Sequence, residues 1–336
     1  MKANDIMIRK SYGNWSPSGY LSNLSIAYFE EPSMAARRVL PIVPVNLPSG
    51  HYYEFSRDDL ARNQTQLKPP FGSVSPAIFG ISEKSYSCKV AQVLVGYDEL
   101  QVRPYQVMQT GFDPLRARVR TVTEQLNQHL EIEFAQKLFN ANAWTNVWTG
   151  NSTENIAQKK FIKFSNANSD PVAFLDARMT DVRRVCRRKP NKLALGIEAF
   201  NALKNHDKVK DRIKYSGTTQ NPAVVTEQVL AQILGLDSVV VLDATVNSAG
   251  FGEPANMNFI CDSKSALLLY APDNPMIDEP SAGYIFAWNF NGSSDYIAIS
   301  EVEGAPASHA NYLEGLLSYD IRKTSDDLAV FLTDCA

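Results

Sequence analysis

The clearest periodic pattern in the chain lies between residues 113 and 140. Asp113 is a favourable N-cap and Pro114 a favourable first helical residue. Apolar residues then recur at spacings of three and four, as on one face of a helix; they are Leu115, Val119, Val122, Leu126, Leu130, Phe134 and Leu138. The pattern predicts a helix of about 26 residues, about 39 Å long. A helix of this length with one apolar stripe indicates the backbone of a flat, extended domain. The alternative is a core helix of an enzyme domain.

The chain before this helix has no sustained period. Residues 1–49 are rich in aromatic side chains, and prolines break any regular element, which favours an extended arm. The aromatic residues are Tyr12, Trp15, Tyr20, Tyr28 and Phe29. An arm without its own core must bury them on something else, either the rest of the chain or a neighbouring copy.

Residues 50–95 are typical of a long two-stranded excursion. A strand rich in aromatic residues covers 51–55, and a partly alternating return strand covers 84–95. The stretch between them is polar, with a turn-rich run at 69–72. A hairpin with so polar a tip cannot supply its own core, so we expect it to lie on a support that can be another subunit.

Helix and strand patterns alternate in the rest of the chain. Asp170 caps a second helix, and Thr226 and Gly235 bound another. The helix between Thr226 and Gly235 covers 227–234. Further helices are predicted at 197–203 and 207–214, and strands at 160–164, 192–196, 239–242, 257–261, 266–270, 284–288, 296–302, 318–321 and 329–332. The order predicts an α+β protein with a compact mixed lobe at about 170–290, and a second lobe that contains the long helix and the outer strands.

The second helix ends in a basic cluster of Arg183, Arg184, Arg187, Arg188 and Lys189. Cations complement the carboxyl end of a helix dipole, so we interpret the cluster as a solvated face. The alternative is a contact with phosphate or with an acidic neighbour.

The composition mainly excludes certain classes of protein. The chain has 336 residues, of which 44% are hydrophobic and 21% charged, enough for one large core or two smaller ones. Its net charge of -3 lacks the basic excess of a tight duplex binder. No apolar run suggests a signal peptide or a membrane helix. We therefore expect a protein that is made in a cytoplasm, stays away from membranes and remains soluble, or soluble until it assembles.

The motifs of common active sites are missing from the sequence. The four cysteines, Cys88, Cys186, Cys261 and Cys335, form no Cys-x-x-Cys pair, and the four histidines form no zinc motif. Gly250 and Gly252 lack the rest of a phosphate loop, and residues 205–212 are better explained as a capped helix start than as an acid–base cluster. Glu131 and Glu133 face different sides of the long helix. We therefore predict no catalytic, cofactor-binding or metal-binding residues, and no enzyme activity.

Four motifs follow one another between residues 170 and 288. They are the strand Pro190–Gly196, a short helix ending in Phe200–His206, the stretch Asp211–Tyr215, and the segment Asn258–Trp288 with its Lys-Ser-Ala-Leu-Leu turn-strand. Their order resembles the central region of tailed-phage major capsid proteins with the Hong Kong 97-type fold. Where that family often has Trp-Gly-Lys, this chain has Cys261-Asp262-Ser263-Lys264. The resemblance covers about 50 to 334.

The resemblance implies a domain organisation. Residues 1–49 are expected to be the N-terminal arm and 50–95 the extended loop, which lies across an adjacent subunit. The peripheral domain is expected at 96–169 and 291–336, with its spine helix at about 113–140, and the axial domain at 170–290. Some members of the fold crosslink a Lys to an Asn, with an assisting Glu; Lys68 lies near the loop tip, but no partner matches by motif.

The resemblance also implies a function. Such a protein assembles with itself into pentamers and hexamers of an icosahedral head that encloses double-stranded DNA, so it would be found in the virion after synthesis in the host bacterial cytoplasm. Implied partners are portal, scaffolding and decoration proteins, and DNA through weak non-specific contact. The alternatives are an encapsulin-type nanocompartment shell protein, which shares the fold, and an α+β enzyme with an unrecognised site.

Overall fold

The computed structural model describes residues 35–54, 63, 65–74, 76, 82–98, 100, 114–214, 225–250, 252–273, 279–289, 297–304 and 309–336. The helices are α1 (Ala36–Val39), α2 (Pro114–Lys137), α3 (Pro171–Cys186), α4 (Ile197–Asn205), α5 (Asp207–Lys214) and α6 (Glu227–Leu234). The strands are β1 (Ile42–Val45), β2 (Ser49–Glu54), β3 (Ser82–Ser87), β4 (Lys89–Asp98), β5 (Val147–Asn151), β6 (Lys160–Ile162), β7 (Lys192–Gly196), β8 (Ser238–Leu242), β9 (Thr245–Asn247), β10 (Met257–Phe259), β11 (Ala266–Leu269), β12 (Gly283–Trp288), β13 (Ile297–Glu303), β14 (Ala310–Lys323) and β15 (Ala329–Thr333).

The long helix predicted from the apolar stripe is α2. All seven residues of the stripe, from Leu115 to Leu138, are buried. The predicted cap Asp113 lies outside the described residues. The helix ends at Lys137 rather than near Asn140, because Asn140 is extended and its side chain caps a short 3₁₀ turn at Ala141–Ala143.

A five-stranded sheet covers one side of α2, and β14 is its central strand. One edge of β14 pairs antiparallel with β4 over ten residues, from Ala310 to Tyr319. The other edge pairs first with β13 and then with β12, and β1 adds to β12 in parallel. The sequence predicted only a short piece of β14 around 318–321, because its side chains alternate less regularly beyond that piece.

A six-stranded sheet lies on another side of α2, with the order β6-β5-β15-β11-β7-β8. One face of its inner strands contributes Leu267 and Phe331 to the core that contains the α2 stripe. The other face contributes Leu193 and Leu268 to a core with α3, α4 and α6. Because both faces are covered, these strands are continuous apolar runs in the sequence.

The helices around the second sheet begin and end at the predicted signals. The Asp170 side chain accepts a hydrogen bond from the Ala173 N–H at 3.1 Å at the start of α3. At the start of α6, the Thr226 side chain accepts a hydrogen bond from the Val229 N–H at 3.3 Å. The same helix ends at Gly235, which has a φ of 60°. Local capping chemistry therefore fixes these boundaries, as the sequence indicates.

The two sheets divide the chain differently from the predicted domain limits. Strand β12, placed in the axial domain at 170–290, belongs to the sheet of β14. Strand β15, placed in the peripheral segment 291–336, belongs to the sheet of β7, as do β5 and β6 from 96–169. The predicted limits assign 170–290 to one domain without interruption, whereas strand pairing takes β12 out of that segment and joins β5, β6 and β15 to β7 and β8.

The predicted return strand at 84–95 is two strands. β3 pairs with β2 to form a hairpin, and β4 leaves it to pair with β14. Cys88 separates them; its N–H donates to the Pro48 carbonyl at 2.7 Å and its Sγ contacts the Phe286 carbonyl. The root of the hairpin is supported within its own subunit, because Tyr52 and Tyr86 are buried against Phe286.

We expect Gly315→Ala to destabilise the protein, because a methyl group at Gly315 would overlap the Val122 side chain of α2. Overpacking of this kind costs about 1 to 3 kcal/mol. Urea unfolding followed by circular dichroism measures the change. Gly250→Ala is the matched control, since a methyl group there meets nothing within 4 Å. Equal stability of the two variants would contradict the close helix–strand approach.

Candidate assembly surfaces

The end of the predicted N-terminal arm is bonded to the long helix. Oε1 of Glu131 on α2 accepts the Ala36 N–H at 2.5 Å, at the start of α1. No side chain of α1 itself caps this turn, so the carboxyl group supplies the missing acceptor. At the other end of α1, the Lys192 Nζ donates to the Arg38 carbonyl at 3.3 Å. The chain is therefore fixed where the arm meets the folded body.

Glu131 is 2% exposed, which is unusual for a carboxylate. Burial raises its pKa to about 7, and the negative charge of Asp243 acts in the same direction. The backbone N–H groups of Ala36 and Ala35 lower the pKa, but by less than burial raises it. The side chain therefore changes its charge near neutral pH while it holds the base of the arm.

Glu131 and Glu133 lie on different faces, as their spacing indicates. On the helix surface, Oε2 of Glu133 forms an ion pair with Nζ of Lys137 at 2.9 Å. This pair lies away from the hydrogen bond between Glu131 and Ala36. Sequence reasoning missed the role of Glu131, because its partner is 95 residues away in the chain. A Glu inside the buried arc of an amphipathic helix is the signal that could have found it.

The root of the β2–β3 hairpin is fixed to the first sheet. The Tyr86 ring stacks on the Phe286 ring with their centroids 4.6 Å apart, and the Ser87 N–H donates to the Asp320 carboxylate at 2.9 Å. Across the hairpin, Lys84 pairs with Glu54 at 2.8 Å. These contacts set the direction in which the hairpin leaves the body.

The described tip of the hairpin, residues 65–74, is exposed apart from Gly72 at its turn, which is partly buried. It contains Lys68, which the resemblance pointed to as a possible crosslinking residue. The aromatic residues of the arm, from Tyr12 to Phe29, lie outside the described residues. The structure thus describes the residues where the predicted arm and the predicted extended loop join the folded body.

The basic cluster at the end of α3 is exposed at every one of its five positions. It borders an open cavity of about 710 Å³ whose wall also contains Asp237, Asp273 and Glu279. Arg184 pairs with Asp181 at 2.8 Å, and Lys189 donates to the Gly235 carbonyl at 2.7 Å. The cavity therefore carries mixed charge, which favours the solvated-face interpretation over a phosphate site.

The acid–base candidates at 205–212 contact residues next to the start of α3. His206 Nε2 lies 3.0 Å from the Ser169 hydroxyl, and Arg212 pairs with Asp170 at 3.6 Å. Within the described ranges, no group of three or more His, Cys, Asp or Glu could hold a metal ion, and all four cysteines are buried. None of the described helices is both long and apolar enough to cross a membrane.

Comparison with known proteins gives one curated relative and several solved structures, while no family model matches the sequence. The relative is the major capsid protein of Burkholderia phage BcepMu, 26% identical over 227 residues, which are 67% of this chain and 68% of that protein. A phage-related protein from Bordetella bronchiseptica RB50 has a TM-score of 0.72 at 18% identity, over 96% of this chain and 99% of that one. The capsid of a native GTA particle has a TM-score of 0.53 at 9% identity, over 98% and 96%.

The chain has the Hong Kong 97-type capsid fold. The fold class and the resemblance expected from the sequence are both confirmed. Helix α2 lies within the residues predicted as the spine helix, and the β2–β3 hairpin lies within those predicted as the extended loop. Glu131 thus connects the predicted spine helix with the end of the predicted arm.

We expect the stability of the subunit to fall as the pH rises through about 7, because Glu131 must then ionise while buried. The pKa of Glu131 in the folded chain lies above its value in the unfolded chain. Its stabilising contribution to the free energy of unfolding is therefore fully present below about pH 4 and lost above about pH 7. Glu131→Gln keeps an acceptor for Ala36 without the charge. At pH 8 the variant should be more stable than the original chain, by up to about 3 kcal/mol.

Urea unfolding at pH 5 and pH 8 measures this difference. Glu133→Gln is the control, since Glu133 pairs with Lys137 on the helix surface and should leave the pH dependence unchanged. A Glu131→Gln chain whose stability relative to the original is the same at both pH values would contradict the assignment.

Proposed function

We propose that the chain is the major capsid protein of a tailed bacteriophage. It is a structural subunit that assembles with itself into pentamers and hexamers, and these form the icosahedral head around double-stranded DNA. The observation that carries the proposal is the combination of a relative named as a phage major capsid protein with the capsid fold over nearly the whole chain. Neither the sequence similarity to that relative nor the similarity of fold depends on a single motif.

The surfaces of the single subunit support an assembling role. The end of the predicted arm at Ala36 and the hairpin root at Tyr86 are both bonded to the folded body. A subunit of this kind is completed by its neighbours. Its role is mechanical rather than catalytic, so we assign no catalytic or cofactor-binding residue.

The finer assignments follow from the same proposal. The protein is made in the host bacterial cytoplasm and resides in the capsid of the virion. Portal, scaffolding and decoration proteins are its further partners. Packaged DNA touches it only weakly and without sequence specificity, in keeping with a net charge of -3. Residues 1–49 act as the arm and 50–95 as the extended loop.

An encapsulin-type nanocompartment shell is the second candidate. A virus-like particle from Pyrococcus furiosus also has this fold, with a TM-score of 0.50 at 10% identity over 93% of this chain and 97% of that one. Such a shell would load protein cargo rather than DNA. The nucleic acid content of purified particles separates the two candidates.

Expression of the chain with its companion proteins tests the proposal. Negative-stain microscopy and sedimentation should detect closed shells, and particles from an infected host should contain double-stranded DNA. A species of one to six subunits that never forms shells would overturn the proposal. If that species also had a turnover activity, the remaining alternative, an α+β enzyme, would be favoured.

Removal of residues 1–30, behind a new initiator methionine, should leave the subunit folded but block shell closure. The deletion ends before the contact between Ala36 and Glu131, so it keeps every core contact that the structure describes while it removes most of the predicted arm. Removal of residues 60–75 should have the same effect, because the hairpin root at Tyr52 and Tyr86 remains. Circular dichroism checks folding, and microscopy counts the shells. Normal particles from either deletion would refute the role given to that segment.

A further inference from the structure

Strand β4 forms one edge of the first sheet. It pairs with β14 residue by residue from Lys89 to Asp98, without a bulge, and no described strand lies on its other side. An edge strand of this kind presents a row of backbone N–H and C=O groups that can pair with another chain.

The hydrogen bonds of β14 show which residues of β4 face the free edge. Beside β13, the Gly304 N–H donates to the Ala310 carbonyl at 2.8 Å. Beside β12, the Thr324 N–H donates to the Ala282 carbonyl at 3.1 Å. The even-numbered residues of β14 therefore point away from β4, and its odd-numbered residues bond to the odd-numbered residues of β4. The remaining residues of β4 face the free edge; they are Val90, Gln92, Leu94, Gly96 and Asp98.

The free edge has a defined start and end. The N–H of Cys88 belongs to the same alternating series, but the Pro48 carbonyl already accepts it at 2.7 Å. At the other end, the Asp98 side chain accepts the Leu100 N–H at 2.8 Å and turns the chain after β4. The edge thus runs from residue 90 to residue 98, with residue 94 at its centre, and the four residues before Asp98 that face it are all exposed.

This edge lacks the features that usually keep sheet edges apart. Charged residues occur in β4 only at its ends, Lys89 and Asp98, and the strand contains no proline. On the far side of the sheet, β1 contains Pro44, and β13 contains Glu301 and Glu303. Charges and prolines on edge strands are common means by which proteins prevent edge-to-edge pairing. The β4 edge, which has neither in its middle, is suited to accept a strand.

Apolar side chains lie beside the free edge, on the outer face of the sheet. Val90 and Leu94 of β4 are 49% and 55% exposed, and Tyr312 of β14 is 40% exposed. The odd-numbered residues Val93 and Val95 pack on the core, so the even-numbered side chains point outward. A strand added to this edge would therefore gain apolar contacts as well as backbone hydrogen bonds.

The charges at the ends of β4 favour an antiparallel copy of the same strand. Lys89 begins β4 and Asp98 ends it, so antiparallel pairing brings the positive end of each strand to the negative end of the other. A parallel copy would place like charges side by side. An antiparallel pair of identical strands has a two-fold axis perpendicular to the sheet, which keeps the outer faces of both copies on the same side.

We propose that β4 pairs antiparallel with β4 of a second copy across a two-fold axis, so that two copies of the first sheet join into one. The inference rests on the proposed function and deepens it, by naming one surface through which the subunits meet. Because the contact is isologous, it links one ring of subunits to another rather than neighbours within a ring.

The register of the pair follows from the bounds of the free edge. Leu94 lies on the axis, opposite Leu94 of the second copy. Gln92 then lies opposite Gly96 of the second copy, and Val90 lies opposite Asp98. This register gives every residue of the free edge a partner.

A single substitution, Leu94→Cys, tests the pairing. Opposite residues in a hydrogen-bonded pair have Cα atoms about 5.5 Å apart, so a short bis-methanethiosulfonate can join the two thiols at the axis. In assembled shells the reagent should convert chains into dimers and nothing larger, because each chain carries one reactive thiol. Shells of the original chain and of Ile156→Cys should stay monomeric, since the native cysteines are buried and Ile156 is exposed beside β6.

Single chains from Leu94→Cys shells would refute this contact and leave the proposed function standing, because shells are present. The same result is expected if a strand of another protein occupies the edge. A chain that forms no shells at all, even without substitutions, would refute the proposed function and this contact with it.

Leu94→Lys separates the contact from a role within the subunit. It puts two like charges opposite each other at the axis, and a lysine on an edge strand disfavours pairing. The yield of closed shells should fall by roughly tenfold or more. Ile156→Lys is the matched control and should assemble normally. Because both side chains are more than half exposed, the two variant subunits should unfold at the same temperature.

Two results from Leu94→Lys would overturn the proposal. One is a normal yield of shells. The other is an unfolding temperature below that of the control, because it would mean that the Leu94 side chain packs within its own subunit.

Discussion

The close approach of helix α2 to strand β14 at Gly315 is the contact on which the rest of the subunit depends. It lets Val122 and Leu126 of the helix lie directly on the central strand of the first sheet. The same helix shares a core with Leu267 and Phe331 of the second sheet. One rod thus connects two sheets whose strands come from distant parts of the chain, and the base of the arm is bonded to it through Glu131.

Local signals in the sequence predicted much of this structure. The stripe of α2, the Asp170 and Thr226 caps and the apolar runs of β7 and β8 depend on neighbours within a few residues, so they can be read from the sequence. Strand partners cannot be read in this way. The split of residues 84–95 at Cys88 and the placement of β15 beside β5 both result from pairing with segments more than 100 residues away.

The candidate surfaces were predictable in outline. Aromatic residues without a period indicated an arm, and a polar excursion indicated a loop, since both lacked a core nearby. Their anchors were not predictable, because burial of Glu131 and of Tyr86 depends on partners distant in the chain. Phe71, in the described tip of the hairpin, has a φ of 61°, and this was also hidden, since a single sequence shows that a turn is present but not which of its residues has a positive φ.

The alignment of the hairpin with β4 has a mechanical consequence. β3 continues into β4 after Cys88 alone, so a pull on the hairpin acts along the axis of β4. The ten residue pairs between β4 and β14 are then loaded together, in shear, rather than one after another as in a zipper. Tension between subunits would therefore be carried by the ten paired residues of the central strand, and through Gly315 by the long helix behind it.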